Sequence, residues 1–519
     1  MICRRLAVVV SLALLAFPLA HAQSTLPEPV ARLLAANQLP DDALSVLVLR
    51  GDSVVLAHRA QRPMQAASTI KLVTTLVALE TLGPTFRGRT ELRTNAPLEN
   101  GVLKGDLVLR GGADTDLTDD VLENMLRALR NQGIRQIDGR LVLDRQLFNP
   151  ARSDVGAPPF DEAPEAYYNV IPDALLVNKN MLQLDLRATD KRLQINSQPA
   201  LDNVTITSDM TLVNADCNAW EAGAKSGWKL PQVERQGSDQ GDGDGKIRVT
   251  LHGAFPKNCA RMYSINVLDR EDYVDRLFRL RWRQLGGSLR GATVEGAMPL
   301  DARLLAEHAS RALPDIIRDT NKPSDNALAR TLFLSLGSLE ADPAIGSHAL
   351  PPTGEPTTVR ADRAIRTWLR AHAIDDSGAV FENGSGLSRL ERISALQLGS
   401  VLQAGLTSQW APEFLSSMPI VGIDGTMRRR LRDSPAAGHA RMKTGTLHGV
   451  VAVAGYVNDA AGRPCVVVAM LNDERAGDGR GRAVLDALVD WVARSPEPVA
   501  NGVASPVPAS AAALSPQLR

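Results

Sequence analysis

Ser68 and Lys71 are the first pair in this 519-residue chain whose types and spacing could do chemistry. Ala67-Ser68-Thr69-Ile70-Lys71 runs straight into Leu72, Val73, Leu76, Val77 and Leu79 and is stopped by Gly83-Pro84. Apolar residues three and four apart predict a buried amphipathic helix with Ser68 at its first turn. Residues i and i+3 share a helix face, so the hydroxyl and the amine can meet. A hydroxyl beside a neutral amine is an activated nucleophile, and the amides of a helix start can hold an oxyanion. The bland reading is a capped structural helix. By average composition the spacing arises about once or twice by chance in a chain this long. Ser226-Gly227-Trp228-Lys229 repeats it, but Leu230-Pro231 follows with no apolar period, which sets that copy aside.

Two further polar triplets raise the weight of the first. Pro323-Ser324-Asp325-Asn326 stands between apolar helical patterns at Leu313 to Ile317 and Leu328 to Leu336, so it lies on a loop entering a helix, where a plain cap is the alternative. Lys443-Thr444-Gly445-Thr446 precedes a hairpin in extended context, where a strand edge with a solvated lysine is the alternative. All three in this order amount to roughly a one per cent coincidence.

The elements that must position these groups come from the two ends of the chain. Leu44 to Leu49 and Val54 to His58 flank a Gly-containing turn, and Gly449 to Val457 and Cys465 to Leu471 flank Asn458 to Pro464. These read as two hairpins, with a closing helix over Val484 to Val492. Together they predict halves of one antiparallel sheet with helices packed on it. Between them, from about Thr90 to Val294, short β-like runs dominate and helical patterns are few, chiefly Leu117 to Leu129 and Glu271 to Leu285. This stretch is expected to be one or two β-rich modules inserted into a surface loop. Every residue of the three polar motifs lies outside it, so the insertion is expected to select large substrates and to leave the bond chemistry to the first unit.

Met1 to Ala22 has Arg4 and Arg5, an apolar run and small residues at Ala20 and Ala22, the pattern of a secretory signal peptide cleaved after Ala22. No later stretch reaches the length of a membrane span. Lys and Arg number 58 against 58 Asp and Glu, which gives no electrostatic case for nucleic acid and leaves at most peripheral membrane association. Export also makes a disulfide the expected state of a cysteine pair. Cys465 lies in an apolar run that reads as a buried strand, so Cys217 with Cys259 is the better pair, two free thiols being the alternative. The Gly/Asp run Gly237 to Gly245 fails as a calcium loop, because Gln240 takes the first ligand position and Leu251 the last. None of the eight His pairs at metal-ligand spacing, so no metal and no cofactor is expected. The tail from Ser495 is Pro- and Ala-rich and expected to be disordered.

The trio Ser-x-x-Lys, Ser-Asp-Asn and Lys-Thr-Gly marks penicillin-binding proteins and class A β-lactamases. Gly105-Asp106-Leu107-Val108-Leu109, Gly384-Ser385-Gly386-Leu387-Ser388-Arg389, Gly425-Thr426-Met427-Arg428-Arg429 and Lys443-Thr444-Gly445-Thr446-Leu447-His448-Gly449 narrow the match. From about residue 40 to 490 the chain resembles the D-alanyl-D-alanine carboxypeptidase/endopeptidases, the class C low-molecular-mass penicillin-binding proteins. That family carries a large insertion between its first two motifs, where a class A β-lactamase has a short connection. Asn383 and His448 depart from residues common among relatives, Asp and Gln, on the substrate side of the site.

The resemblance implies an α/β (α+β) serine DD-peptidase, β-lactamase-like domain formed by residues 23–89 and 295–494, with helices on both sides of an antiparallel sheet. It also implies an inserted domain II at 90–160 and 245–294 and a nested domain III at 161–244. Ser68 would attack the penultimate D-alanine carbonyl, with neutral Lys71 as base, its pKa lowered by burial and by nearby Lys443. The amides of Ser68 and Thr446 would hold the oxyanion, Ser324 would relay a proton, and Asn326 would orient Lys71 and the substrate amide. Lys443, Thr444, Gly445 and Thr446 would bind the terminal carboxylate, and Asp161 would lie beside the diamino-acid side chain. The implied partners are peptidoglycan stem peptides and, as covalent inhibitors, β-lactams. The implied location is the periplasm, with room for a homodimer. A β-lactamase and a non-catalytic peptidoglycan-binding module are the competing readings.

Overall fold

The two ends of the chain meet in one sheet. The structure is a computed structural model and describes residues 25–220, 227–236 and 245–495. The signal peptide, Ser226, most of the Gly/Asp run and the tail beyond Ser495 lie outside the described residues. Strands β1 (Leu44–Arg50) and β2 (Ser53–His58) form the first hairpin, and β4 (Val450–Asn458) and β5 (Pro464–Asn472) the second. With β3 (Arg441–Leu447) they make a five-stranded antiparallel sheet in the order β2-β1-β5-β4-β3, and β1 pairs with β5 from Leu44↔Leu471 to Arg50↔Cys465.

The apolar runs of the central strands are continuous because both faces are covered. On one face Val46, Val48, Val467 and Ala469 pack against helix α1 (Glu28–Ala36) and the closing helix Arg480–Arg494. On the other, Leu47, Val466, Val468 and Met470 share a core with helix α2 (Lys71–Leu82), α3 (Leu313–Asn321) and α4 (Asn326–Leu336). Helix α2 departs from the predicted amphipathic pattern: from Lys71 to Leu79 every residue is buried. Its polar positions are satisfied inside. Thr74 Oγ1 donates to Gly384 O and Thr75 Oγ1 to Lys71 O, each at 2.7 Å. Gly83, at φ 76°, ends the helix in a conformation that suits glycine.

The insertion builds its own core. Thr293–Glu295, Leu141–Asp144, Leu107–Gly112, Arg89–Thr94 and Arg303–Ala309 form a five-stranded sheet in that order. Arg303–Ala309 pairs with Arg89–Thr94, so the inserted sheet runs beyond the boundary that the sequence predicts at 295. Strand Lys246–Pro256 pairs with Val204–Ser208 and Trp228–Gln236, and Ala260–Ile265 pairs with Leu182–Ala188. This group of paired strands runs on past residue 244 to Ile265. Its residues Leu184, Trp228 and Val249 share one core with Leu109 and Leu141 of the neighbouring sheet. Cys217 and Cys259 are bridged with Cα atoms 5.4 Å apart, and Cys465 is a buried free thiol.

Candidate active site

Ser68 stands on a single 3-10 turn, Ala67–Ile70, that feeds α2. Ala67 has φ 44°, a left-handed value that a non-glycine residue keeps only where its surroundings impose it. Two glycines press on this turn. A Cβ on Gly386 would stand 2.0 Å from Ala67 O, and one on Gly445 would stand 2.6 Å from Ala66 O and 3.0 Å from Ser68 N. Only glycine lets the 384–386 loop and strand β3 approach the nucleophile so closely. That approach packs strand β3 and the 384–386 loop directly against the backbone of the Ser68 turn.

The amine of Lys71 is fully buried and has three partners: Ser68 Oγ at 2.8 Å, Asn326 Oδ1 at 2.7 Å and the carbonyl of Ser385. Burial lowers its pKa to about 7, against the opposing pull of Glu391 and Asp325, and Arg330 lowers it further. In its neutral form it donates to the two fixed acceptors, and its lone pair is left for the proton of Ser68.

Asn326 is held in turn. It opens α4 behind Asp325, whose Oδ1 caps the helix by accepting from Leu328 N at 2.9 Å, and its Nδ2 donates to Tyr168 O at 2.9 Å. Ser324, at φ 69°, accepts from Lys443 Nζ at 2.8 Å. Lys443 also donates to Thr444 O at 2.8 Å. Burial first, and the charge of Lys71 second, push the Lys443 amine well below its ordinary value. The repulsion expected between the two lysines thus lowers Lys443, whereas the cation that lowers Lys71 is Arg330. Thr444 Oγ1 donates to Thr426 Oγ1 at 2.8 Å, and Thr446 is exposed at the strand edge.

The structure brings together Ser68, Lys71, Ser324, Asn326 and Lys443 to Thr446. Asp161 touches none of them directly: its oxygens accept from Tyr168 Oη at 2.9 Å, Asn169 Nδ2 at 2.7 Å and Ala163 N at 3.0 Å, and Tyr168 is in turn the residue whose carbonyl accepts from Asn326. Sequence reasoning missed Glu391. Its buried carboxylate accepts the amides of Glu382, Asn383 and Gly384 on Oε1 and of Gly386 on Oε2, at 2.7 to 3.0 Å. It thereby shapes the loop whose Ser385 carbonyl faces Lys71. Arg330, also missed, donates to Val170 O at 2.9 Å, and its guanidinium is pushed down to about 10 by burial. Beside this loop opens a largely apolar cleft of about 460 Å³, lined by Phe148, Pro159, Phe160, Phe333, Leu387 and Arg389.

A serine hydroxyl facing a buried lysine whose pKa is lowered by burial, with a Ser-x-Asn turn and a Lys-Thr-Gly strand closing the site, defines a serine acyl-transferring peptidase of the penicillin-binding kind. The chain belongs to the D-Ala-D-Ala carboxypeptidase 3 (S13) family, whose sequence profile matches residues 26–495. It is 27% identical over 453 residues to the D-alanyl-D-alanine carboxypeptidase DacB of Haemophilus influenzae, covering 85% of this chain and 87% of that one. The fold is similar to the crystal structure of penicillin binding protein 4 (dacB) from Haemophilus influenzae, with TM-score 0.70 and 24% identity over 90% of this chain and 99% of that one. A structure of that protein complexed with a β-lactam gives TM-score 0.66 and 25% identity, covering 88% and 97%. Among the described residues no helix is long and apolar enough to cross a membrane.

Proposed function

We infer that this protein is a periplasmic serine DD-carboxypeptidase that removes the terminal D-alanine of peptidoglycan stem peptides, and that the same site cuts D-Ala-to-diaminopimelate cross-bridges. The observation that carries the reading is the setting of Lys71 Nζ between two fixed acceptors and Ser68 Oγ. Ser68 Oγ attacks the carbonyl carbon of the penultimate D-alanine as Lys71 takes the hydroxyl proton, a contribution of about 10²- to 10⁴-fold. The amides of Ser68 and Thr446 hold the oxyanion. As the C–N bond breaks, Ser324 relays to the leaving amine the proton that Lys71 took from Ser68, which returns Lys71 to its neutral form. Lys443, Thr444 and Thr446 receive the terminal carboxylate, whose charge supplies the counter-ion that buried Lys443 lacks among the described residues. Water then hydrolyses the ester to Ser68.

A β-lactam carbonyl enters by the same route, and its tethered leaving group stays near the ester and obstructs water. Incubation of the purified protein with a free pentapeptide and with cross-linked muropeptide dimers tests the reading. Release of D-alanine from the first supports carboxypeptidase action, and conversion of dimers to monomers supports cross-bridge cleavage. Rapid turnover of a penicillin with no action on either peptide would favour a β-lactamase, and inertness toward all three would favour a binding module.

A further inference from the structure

Asn178, Lys179 and Asn180, in the insertion, have φ of 47°, 54° and 57°. Three consecutive non-glycine residues in the left-handed region hold only where neighbours over-determine them. The outer two are anchored inside the insertion. Asn178 Oδ1 accepts from Asp119 N at 3.0 Å and its Nδ2 donates to Tyr273 Oη at 3.2 Å. Asn180 Nδ2 donates to Asn266 Oδ1 at 2.7 Å and Leu268 O at 2.8 Å. The middle residue is thereby aimed out of the insertion. Lys179 Nζ lies 3.0 Å from Asp325 Oδ2 and 4.9 Å from the ring centroid of Tyr167, to whose hydroxyl it also donates. The Tyr167 hydroxyl donates to the same Asp325 oxygen.

We propose that Lys179 is a positioning residue of the catalytic centre: through Asp325 it fixes the turn that presents Ser324 to Lys443 and Asn326 to Lys71, so that the insertion sets the competence of the site. Asp325 is the right handle, since its other oxygen caps α4 and its two neighbours in sequence make those contacts. The charges around Lys71 are Glu391 and Asp325, Arg330, and Lys443 across the site. The small cavity beside Lys179 also carries Asp114 and Asp173. Asp114 is paired with His308, and Asp173 with Arg145 and Arg270, which leaves Asp325 as the carboxylate that Lys179 neutralises. Without Lys179 the Asp325 charge acts uncompensated on Lys71 and strengthens its hold on the proton.

The test is the rate constant of acylation by a fluorescent penicillin across pH, with thermal unfolding, for the exported protein and its Lys179→Met and Lys179→Arg variants. Lys179→Met is expected to lower the plateau by about threefold or more, because the turn loses its tether, and in addition to move the acidic limb up by about half a unit or more, so that the loss widens as pH falls. Lys179→Arg is expected to restore both. A Lys179→Met profile that superimposes on the parent, or that is lowered by one factor at every pH, overturns the proposal. Should Lys179→Met not unfold cooperatively, Tyr167→Phe removes the second donor to the same oxygen and is expected to shift the limb in the same direction; an unshifted limb there overturns it equally.

Discussion

The side-chain amide of Asn326 donates to the backbone carbonyl of Tyr168 at 2.9 Å. One of these residues belongs to a catalytic motif and the other to the insertion. Arg330 repeats the relationship one turn along α4, donating to Val170 O. The motif residues do lie outside the insertion, yet the insertion forms a wall of the site that holds them, so the two units are not separable in the way that motif positions alone suggest.

Replacing residues 89–309 by a short linker should therefore lower the rate of acylation by a small β-lactam by about tenfold or more, even in a variant that still folds, because Asn326, Asp325 and Arg330 all lose partners. Circular dichroism establishes folding and labelling kinetics give the rate. Unchanged acylation in a folded variant would show that the wall is dispensable.

Acylation should depend on pH through Lys71. Its pKa is lowered to about 7, and the base must be neutral to take the Ser68 proton. The rate should therefore rise as pH passes upward through about 7 and level off above, since the ammonium form predominates below. A rate flat between about pH 5.5 and 8.5 would remove Lys71 as the base.

Glu391→Gln should move that limb the other way. The carboxylate is the foremost charge holding a proton on Lys71, so its neutralisation lets the amine deprotonate at lower pH. The plateau should fall as well, because one amide end of glutamine would point a donor at a backbone N–H that Glu391 now accepts. The pH profile of acylation separates the two effects. A lower plateau with an unmoved limb would leave Glu391 only a loop-shaping role.

What the sequence disclosed and what it hid divide along a physical line. Ser68 with Lys71, Ser324 with Asn326, and Lys443 to Thr446 are local patterns at a helix start, a helix entry and a strand edge, so they are readable residue by residue. The joined hairpins were legible because continuous apolar runs such as Cys465 to Leu471 require cover on both faces. The burial of α2 on all sides was not, since Lys71, Thr74 and Thr75 imitate a polar face until their distant acceptors are known. Tyr168 contributes a backbone carbonyl, which leaves no mark in side-chain chemistry. Glu391 acts through four amides gathered by a loop, and Lys179 through a left-handed turn; neither has a spacing rule. Module boundaries such as those expected near 244 and 295 have no local mark for a similar reason, because strands on either side of them, as Val204–Ser208 and Lys246–Pro256, pair across long stretches of sequence.

The Cys217–Cys259 bridge closes a separation of 42 positions, which the chain-entropy model values at about 4 kcal/mol. It lies in the nested module. Replacing both cysteines by serine should lower the melting temperature of the protein and leave the acylation rate constant, measured well below that temperature, within about twofold. A melting temperature that does not move would show that the bridge adds no stability.

Ser68 should be the residue that carries a β-lactam adduct, and its geometry says how that labelling can be broken without touching it. Peptide mapping after penicillin treatment should place the added mass on Ser68, not on Ser324, whose Oγ faces Lys443, and Ser68→Ala should abolish it. Gly445→Ala would put a methyl carbon 2.6 Å from Ala66 O, a backbone atom that cannot rotate away, so strand β3 and the Ser68 turn must part. On the proposed mechanism, in which the Ser68 and Thr446 amides hold the oxyanion, their separation should cost about 10²- to 10³-fold in rate. Gly386→Ala, with a carbon 2.0 Å from Ala67 O at a φ of 81°, should be at least as severe and should also lower the melting temperature. Wild-type acylation by Gly445→Ala, or an adduct found on any residue other than Ser68, would defeat this account of the site.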